Sequence, residues 1–129
     1  MYDVLKILAD NAVWLGVFSN KPDELSCELI AHYFPDISFG IVRGAKSGYP
    51  LKPNPEVLLD ILEKEKIEKD NAFYIGDSDV DMLTARNARL AGVGAAWGFR
   101  GAEELRNAGA RFIAYAPMQV AELLAGFFK

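Results

Sequence analysis

The feature that most restricts the fold is a repeated change of period along the chain. Short apolar runs, AVWLGVF (12–18), SFGIV (38–42), AFYIG (72–76), AGVGAAW (91–97) and RFIAYA (111–116), each lead into residues with helical spacing. Runs this short and this continuously apolar read as strands covered on both faces. Strand and helix alternating in this way predict an α/β fold: a three-layer, doubly wound, Rossmann-like and mostly parallel sheet of about five strands.

The helices carry their own signals. Val4, Leu5 and Leu8 recur at helical spacing within residues 3–10. Lys21-Pro22-Asp23-Glu24 places proline and acidic residues where a helix starts, and Leu25, Leu29, Ile30 and Tyr33 supply its apolar stripe. Pro55 opens another helix, with Val57, Leu58, Ile61 and Leu62 facing inward. Residues 79–89, the segment GAEELRNAG and a last helix from Pro117 to Phe127-Phe128 complete the pattern. Trp14, Trp97, Phe99, Phe127 and Phe128 are expected in the core; any left exposed would mark a self-association surface.

At 129 residues and 51% hydrophobic, the chain suits one domain, 1–129, with no linker to divide it. Lys and Arg total 14 against 18 Asp and Glu, a net charge of −4, and no basic block is present. Nucleic acid and anionic membrane are therefore not expected partners. The one cysteine, Cys27, cannot form an internal disulfide. MYDVLKILAD carries Asp3, Lys6 and Asp10, unlike a signal peptide, and no apolar run approaches the ~20 residues of a membrane span. These features predict a soluble cytoplasmic protein.

In a doubly wound sheet the ligand site lies beyond the carboxyl ends of the strands. Ser19-Asn20, the loop carrying Lys52, and Gly76-Asp77 all fall at that edge. FYIGDSDVDM (73–82) adds Asp77, Asp79 and Asp81. A calcium loop is excluded: Met82 occupies its glycine position and Ala88 its glutamate position. A P-loop is excluded too, because Phe39 replaces the first glycine ahead of Gly44-Ala45-Lys46-Ser47.

Magnesium serving a phosphate fits better, since Mg²⁺ takes one or two carboxylates together with water and phosphate oxygens. Asp77 would be the direct ligand, and Asp81, one turn later, would hold a metal-bound water or orient Asp77. Asp79 reads as a helix cap or a solvent-facing residue. Ser19 and Asn20 precede a helix N-terminus, where free N–H groups attract anions. Pro50, Pro53 and Pro55 stiffen the loop that aims the Lys52 ammonium. His32, the one histidine, has no metal partner nearby in sequence.

The ordered set GVFSNKP, LKPNPEVLLDIL and FYIGDSDVDMLTARNA, followed by AGVGAAWGFR, resembles the haloacid dehalogenase superfamily. It is most similar to that superfamily's phosphoglycolate phosphatase-like branch, at motifs two, three and four. The resemblance covers essentially the whole chain. It implies that Ser19 binds phosphate, that Lys52 balances the charge of nucleophile and phosphoryl group, and that Asp77 ligates Mg²⁺ with support from Asp81. The implied activity is phosphomonoester hydrolysis through an aspartyl phosphate.

One motif is missing. The family's first motif, a strand followed by D-x-D-G-[TS], supplies the nucleophile and the general acid and base. Nothing before Ser19 matches it: Asp3 and Asp10 are isolated and lie in a helical pattern. The cap domain is absent as well. The resemblance thus implies a core without its central first strand, which belongs between the strands ending at Phe18 and Gly76. Metal affinity is expected to be weak. The slot must be filled by direct pairing of its flanking strands, by a second copy as in a homodimer, or by a complementing chain. Three functional readings follow: an incomplete, inactive phosphatase core; one half of a split phosphatase; or a non-catalytic module that binds phosphate or protein.

Overall fold

The computed structural model describes residues 1–98 and 100–127. In chain order the elements are α1 (Tyr2–Asp10), β1 (Gly16–Pro22), α2 (Asp23–Tyr33), β2 (Ile41–Ala45), α3 (Glu56–Lys64), a 3₁₀ turn (Lys69–Asn71), β3 (Phe73–Gly76), α4 (Asp79–Ala88), β4 (Ala91–Ala95), α5 (Ala102–Asn107), β5 (Phe112–Ala114) and α6 (Pro117–Ala125). The predicted α/β alternation holds throughout. No helix among the described residues is long and apolar enough to cross a membrane.

β1 and β2 start three or more residues after their apolar runs begin. β1 begins at Gly16 because the preceding residues close the end of α1: Val13 N–H donates to Leu8 O at 3.0 Å, and Ala12 sits at φ 60°. β2 begins at Ile41, after a turn in which Ile37 N–H donates to Phe34 O at 3.2 Å.

All strand pairs are parallel, but they form two sheets rather than one. β1 pairs with β2 in the register Gly16↔Ile41, Val17↔Val42, Phe18↔Arg43. The other sheet has the order β3-β4-β5, with Phe73↔Ala91 and Val93↔Phe112 in register. Direct pairing of β1 with β3, one of the three ways of closing the slot, does not occur among the described residues.

Period-two alternation along β3 divides the core. Phe73 and Ile75 pack on one face against Val4 and Leu8 of α1, Val93, and Val120 and Leu124 of α6. Tyr74 packs on the opposite face with Leu58 and Leu62 of α3 and Ala85 and Ala88 of α4. Fully burying one such side chain contributes about 1.5–3 kcal/mol. These helices therefore hold the three-stranded sheet from both sides.

The β1–α2–β2 lobe is different. Ser26 is the one buried residue of α2, while Leu25 and Tyr33 of its expected apolar stripe are exposed. β1 is half-exposed rather than covered on both faces, because its second edge borders no strand. Polar contacts tie the lobe together instead. Gly44 N–H donates to Asp23 Oδ1 at 2.8 Å, and Ser26 Oγ–H donates to Pro22 O at 3.0 Å.

The aromatic residues expected in the core mostly lie outside it. Trp14 is 40% exposed, Trp97 38% and Phe127 56%. Trp14 instead covers Gly16 and Gly40, where a Cβ would run into its indole, and it borders the space beside β1 that no strand fills. Phe127 packs edge-on against Phe73 at 4.9 Å yet keeps its outer side free. Phe99 and Phe128 lie outside the described residues.

The unequal lobes predict unequal mutational costs. Leu105 of α5 is fully buried, so Leu105→Ala should lower the unfolding free energy by about 2–5 kcal/mol. Leu25→Ala on the exposed face of α2 should stay within about 0.5 kcal/mol. Urea denaturation followed by circular dichroism measures both.

Candidate active-site edge between the two sheets

The carboxyl ends of β1 and β3 meet through side chains. Lys52, on the loop between β2 and α3, places Nζ 2.7 Å from Asp81 Oδ1 in the first turn of α4. The same ammonium donates to Phe18 O at 3.4 Å, and it stands 5.8 Å from the Phe18 ring and 5.9 Å from the Tyr74 ring. Only 10% of the Lys52 side chain and 13% of the Asp81 side chain remain exposed. A pair so far withdrawn from water holds its geometry tightly, because losing either partner strands the other charge.

Asn20 positions the lysine. Lys52 N–H donates to Asn20 Oδ1 at 2.9 Å, and Asn20 Nδ2–H donates to Lys52 O at 3.3 Å. From the other side, Asn87 Nδ2–H of α4 donates to Pro53 O at 2.9 Å. The loop is thus strapped to the end of β1 and to α4 together. Asn20 spends its carbonyl and one amide N–H on this strap and keeps a single N–H for an anion.

Ser19 is half-buried, and its Oγ accepts from Lys21 N–H at 3.1 Å, which leaves its own hydroxyl proton to donate. Asp77 is exposed just past β3, and its carboxylate carries no protein partner among the described residues. The second carboxylate is committed elsewhere. Besides Lys52, Asp81 accepts from Asp77 N–H at 3.2 Å and from Ser78 Oγ–H at 3.1 Å through Oδ2. Gly76 allows this closeness: a Cβ there would collide with the Asp81 side chain. Asn20, Lys52, Asp81 and the Asp77 backbone N–H are therefore joined in one network at the end of β1, next to Ser19 in sequence, at the edge expected for a doubly wound sheet.

The helix cap is Ser78, not Asp79. Asp81 N–H donates to Ser78 Oγ at 3.2 Å, and the Asp81 carboxylate answers the Ser78 hydroxyl. The signal was readable as a capping box, Ser78-x-x-Asp81. Tyr74 had no such signal. Its hydroxyl donates to Phe18 O at 3.5 Å, across the space between the sheets. Burial, and after it the Asp81 carboxylate, raises the Tyr74 phenol well above its ordinary value. It stays a neutral donor wherever the fold is stable. His32 lies on the outside of α2, edge-on to Tyr33 at 4.9 Å, away from this network.

For Mg²⁺ the donor set is small. No group of three or more His, Cys, Asp or Glu side chains among the described residues could hold a metal ion. The free Asp77 carboxylate fits as one hard oxygen ligand, with the remaining positions left to water and phosphate.

Two expectations follow from this geometry. Ser78→Ala should cost about 0.5–2 kcal/mol in unfolding free energy, read by urea denaturation, through loss of the cap. Because the Tyr74 pKa is raised, its contribution to stability is complete below the ordinary tyrosine value of ~10 and falls as pH rises above it. Phenolate absorbance should show Tyr74 ionising only with unfolding, after the other tyrosines, and Tyr74→Phe should flatten the alkaline decline.

Comparison with known proteins places this arrangement. The profile of haloacid dehalogenase-like hydrolases matches residues 1–95. A phosphoglycolate phosphatase of Vibrio vulnificus (strain YJ016) is 32% identical over 127 residues, covering 95% of this chain and 54% of the relative. A solved structure from Lactobacillus delbrueckii subsp. bulgaricus, which carries the name of a phosphoglycolate phosphatase, superposes with a TM-score of 0.87 at 35% identity, covering 95% of this chain and 51% of its own. A haloacid dehalogenase-like hydrolase of Streptococcus pneumoniae superposes with a TM-score of 0.77 at 25% identity, over 95% and 57% of the two chains. The chain spans about half the length of the relatives it matches.

Proposed function

Since this chain belongs to the haloacid dehalogenase-like hydrolases, we propose that it is the phosphate- and metal-facing half of a phosphomonoester hydrolase of the phosphoglycolate phosphatase kind, and that it does not turn over substrate alone. One observation carries the reading. The Lys52 ammonium is held between Asp81 Oδ1 and Phe18 O at the strand ends, beside the unpartnered carboxylate of Asp77.

The roles follow from what each side chain has left to offer. The Ser19 hydroxyl donates to a phosphoryl oxygen, and the spare N–H of Asn20 can do the same. Lys52 supplies positive charge that its strap fixes in place before substrate arrives, so no reorganisation is needed during reaction. Asp81 holds Lys52 and the Asp77 backbone, which makes it a positioning residue. Asp77 would hold Mg²⁺ directly, with Asp81 at most acting through a water. Bound there, Mg²⁺ would neutralise phosphate charge and orient the phosphoryl group.

What the half-site lacks is a nucleophile. Asp10 is paired with Lys6 at 3.2 Å near the end of α1, which leads into the amino end of β1, opposite the Lys52 edge. Asp3 lies in the first turn of the same helix. Neither is placed for in-line attack on a phosphoryl group held by Ser19 and Lys52.

The test is hydrolysis of p-nitrophenyl phosphate and of phosphoglycolate with Mg²⁺, with the chain run beside Asp77→Asn. Both proteins should stay at the blank rate. In a parallel Mg²⁺ titration by NMR, the Asp77 amide should shift weakly in the native chain and not in Asp77→Asn. Turnover that disappears with Asp77→Asn would show that another carboxylate of this chain is the nucleophile and would overturn the proposal.

A further inference from the structure

The Asp77 carboxylate is exposed, yet one side of it is closed by the turn that follows β4. A Cβ placed on Gly98 in that turn would stand 2.8 Å from Asp77 Cβ, 2.9 Å from Oδ2 and 3.3 Å from Cγ. These are its three nearest neighbours, and all belong to the one side chain. We infer that Gly98 is a positioning residue for Asp77: its missing side chain is the space in which the carboxylate is seated, with Oδ2 against the turn and Oδ1 left to face a cation. The Mg²⁺ role of Asp77 rests on the functional reading above; the seat itself does not.

Space, not backbone conformation, is what requires glycine here. Gly98 lies outside the left-handed region, unlike Gly48 at φ 86° and Gly109 at φ 111°. Nor is the segment crowded in general, since a Cβ on Gly101 would meet nothing within 4 Å. The demand for a missing side chain is confined to the position that faces Asp77. Gly76 serves the other carboxylate in the same way, because a Cβ there would collide with Asp81 Cβ and Oδ2. Each carboxylate of the edge thus rests against a glycine from a different segment.

Neither side of the Gly98 contact yields easily. The turn is tied to two strands: Gly98 N–H donates to Ala95 O at 3.3 Å, and Ala96 N–H donates to Ala114 O at 2.8 Å. Asp77 is held from behind by its own N–H, which donates to Asp81 Oδ2 at 3.2 Å. Carbon atoms pack best at about 3.5–4.0 Å, so a 2.8 Å approach cannot stand. An alanine at 98 would push Asp77 Cβ back and swing the carboxylate out of its seat. Mg²⁺ demands near-ideal octahedral geometry, and a displaced oxygen serves it poorly.

The test is NMR on the full chain, with the native protein beside Gly98→Ala and the control Gly101→Ala. Three-bond couplings between Hα and Hβ of Asp77 read its χ1 angle with no metal present. A Mg²⁺ titration followed at the Asp77 amide then reads affinity. Gly98→Ala should change the couplings and weaken Mg²⁺ binding about 10–100-fold, as loss of a ligand's outer support does. Gly101→Ala should do neither. In urea, the lower midpoint caused by Gly98→Ala should recover in the Asp77→Gly background, which removes all three atoms the new methyl strikes. If Gly98→Ala alone does not fold, this double variant should. Native couplings and native Mg²⁺ affinity in Gly98→Ala would overturn the inference. So would an equal loss of midpoint with and without the Asp77 side chain, or a double variant that stays unfolded. Changed couplings in Gly98→Ala, together with no Mg²⁺ response in the native chain, would count against the functional reading and leave the seat of Asp77 standing.

Discussion

The ion pair of Lys52 with Asp81 fixes the functional edge where the two sheets meet, beside the apolar packing of Leu15 and Phe18 against the two core clusters. β1 and β2 share no strand ladder with β3, β4 and β5, and the β1–α2–β2 lobe buries little apolar surface of its own. The contact between the two halves at the functional edge is instead polar: a lysine shared between Asp81 and Phe18 O, an asparagine holding the lysine backbone, and Asn87 holding Pro53 O. A nearly buried pair contributes modest net stability but a large penalty for disruption, about 3–5 kcal/mol when one charge is removed. Such an interaction sets geometry more than it adds stability, and geometry is what a phosphate site requires.

That constraint explains the division of labour between the carboxylates. Asp81 has two charged oxygens and spends both on protein, one on Lys52 and one on the Asp77 amide and the Ser78 hydroxyl. Asp77 spends none. The first is thereby a fixed support for the site, and the second is free for a cation. A single free carboxylate is a poor magnesium site without phosphate and further ligands.

Much of this was legible in the chain itself. Apolar runs bounded by polar turns located every strand, and the capping box at Ser78 and Asp81 was present in four letters. Two of the three spaced motifs carry Lys52 and Asp81, whose side chains the fold brings to 2.7 Å. Errors arose where one residue served two neighbours. Val13 to Leu15 read as strand because they are apolar, yet they follow directly from the turn that ends α1. Trp14 read as core for its size, yet it covers two glycines at the border of an unfilled slot. Leu25 and Tyr33 fit a helical stripe, but the lobe offers no apolar surface to receive them.

The sequence by itself determined the α/β alternation and the edge at which the polar motifs gather, because period and motif spacing are local properties. Only the tertiary structure decided that the strands divide into two sheets. β1 and β3 do not close on each other, because α1 and α6 on one face and α3 on the other hold β3 in place while Lys52 and Tyr74 brace the end of β1. Likewise only the fold showed that Asp81 belongs to Lys52 and that Asn20 positions rather than simply binds. Both facts depend on distances across 29 to 32 residues of chain, which no local pattern encodes.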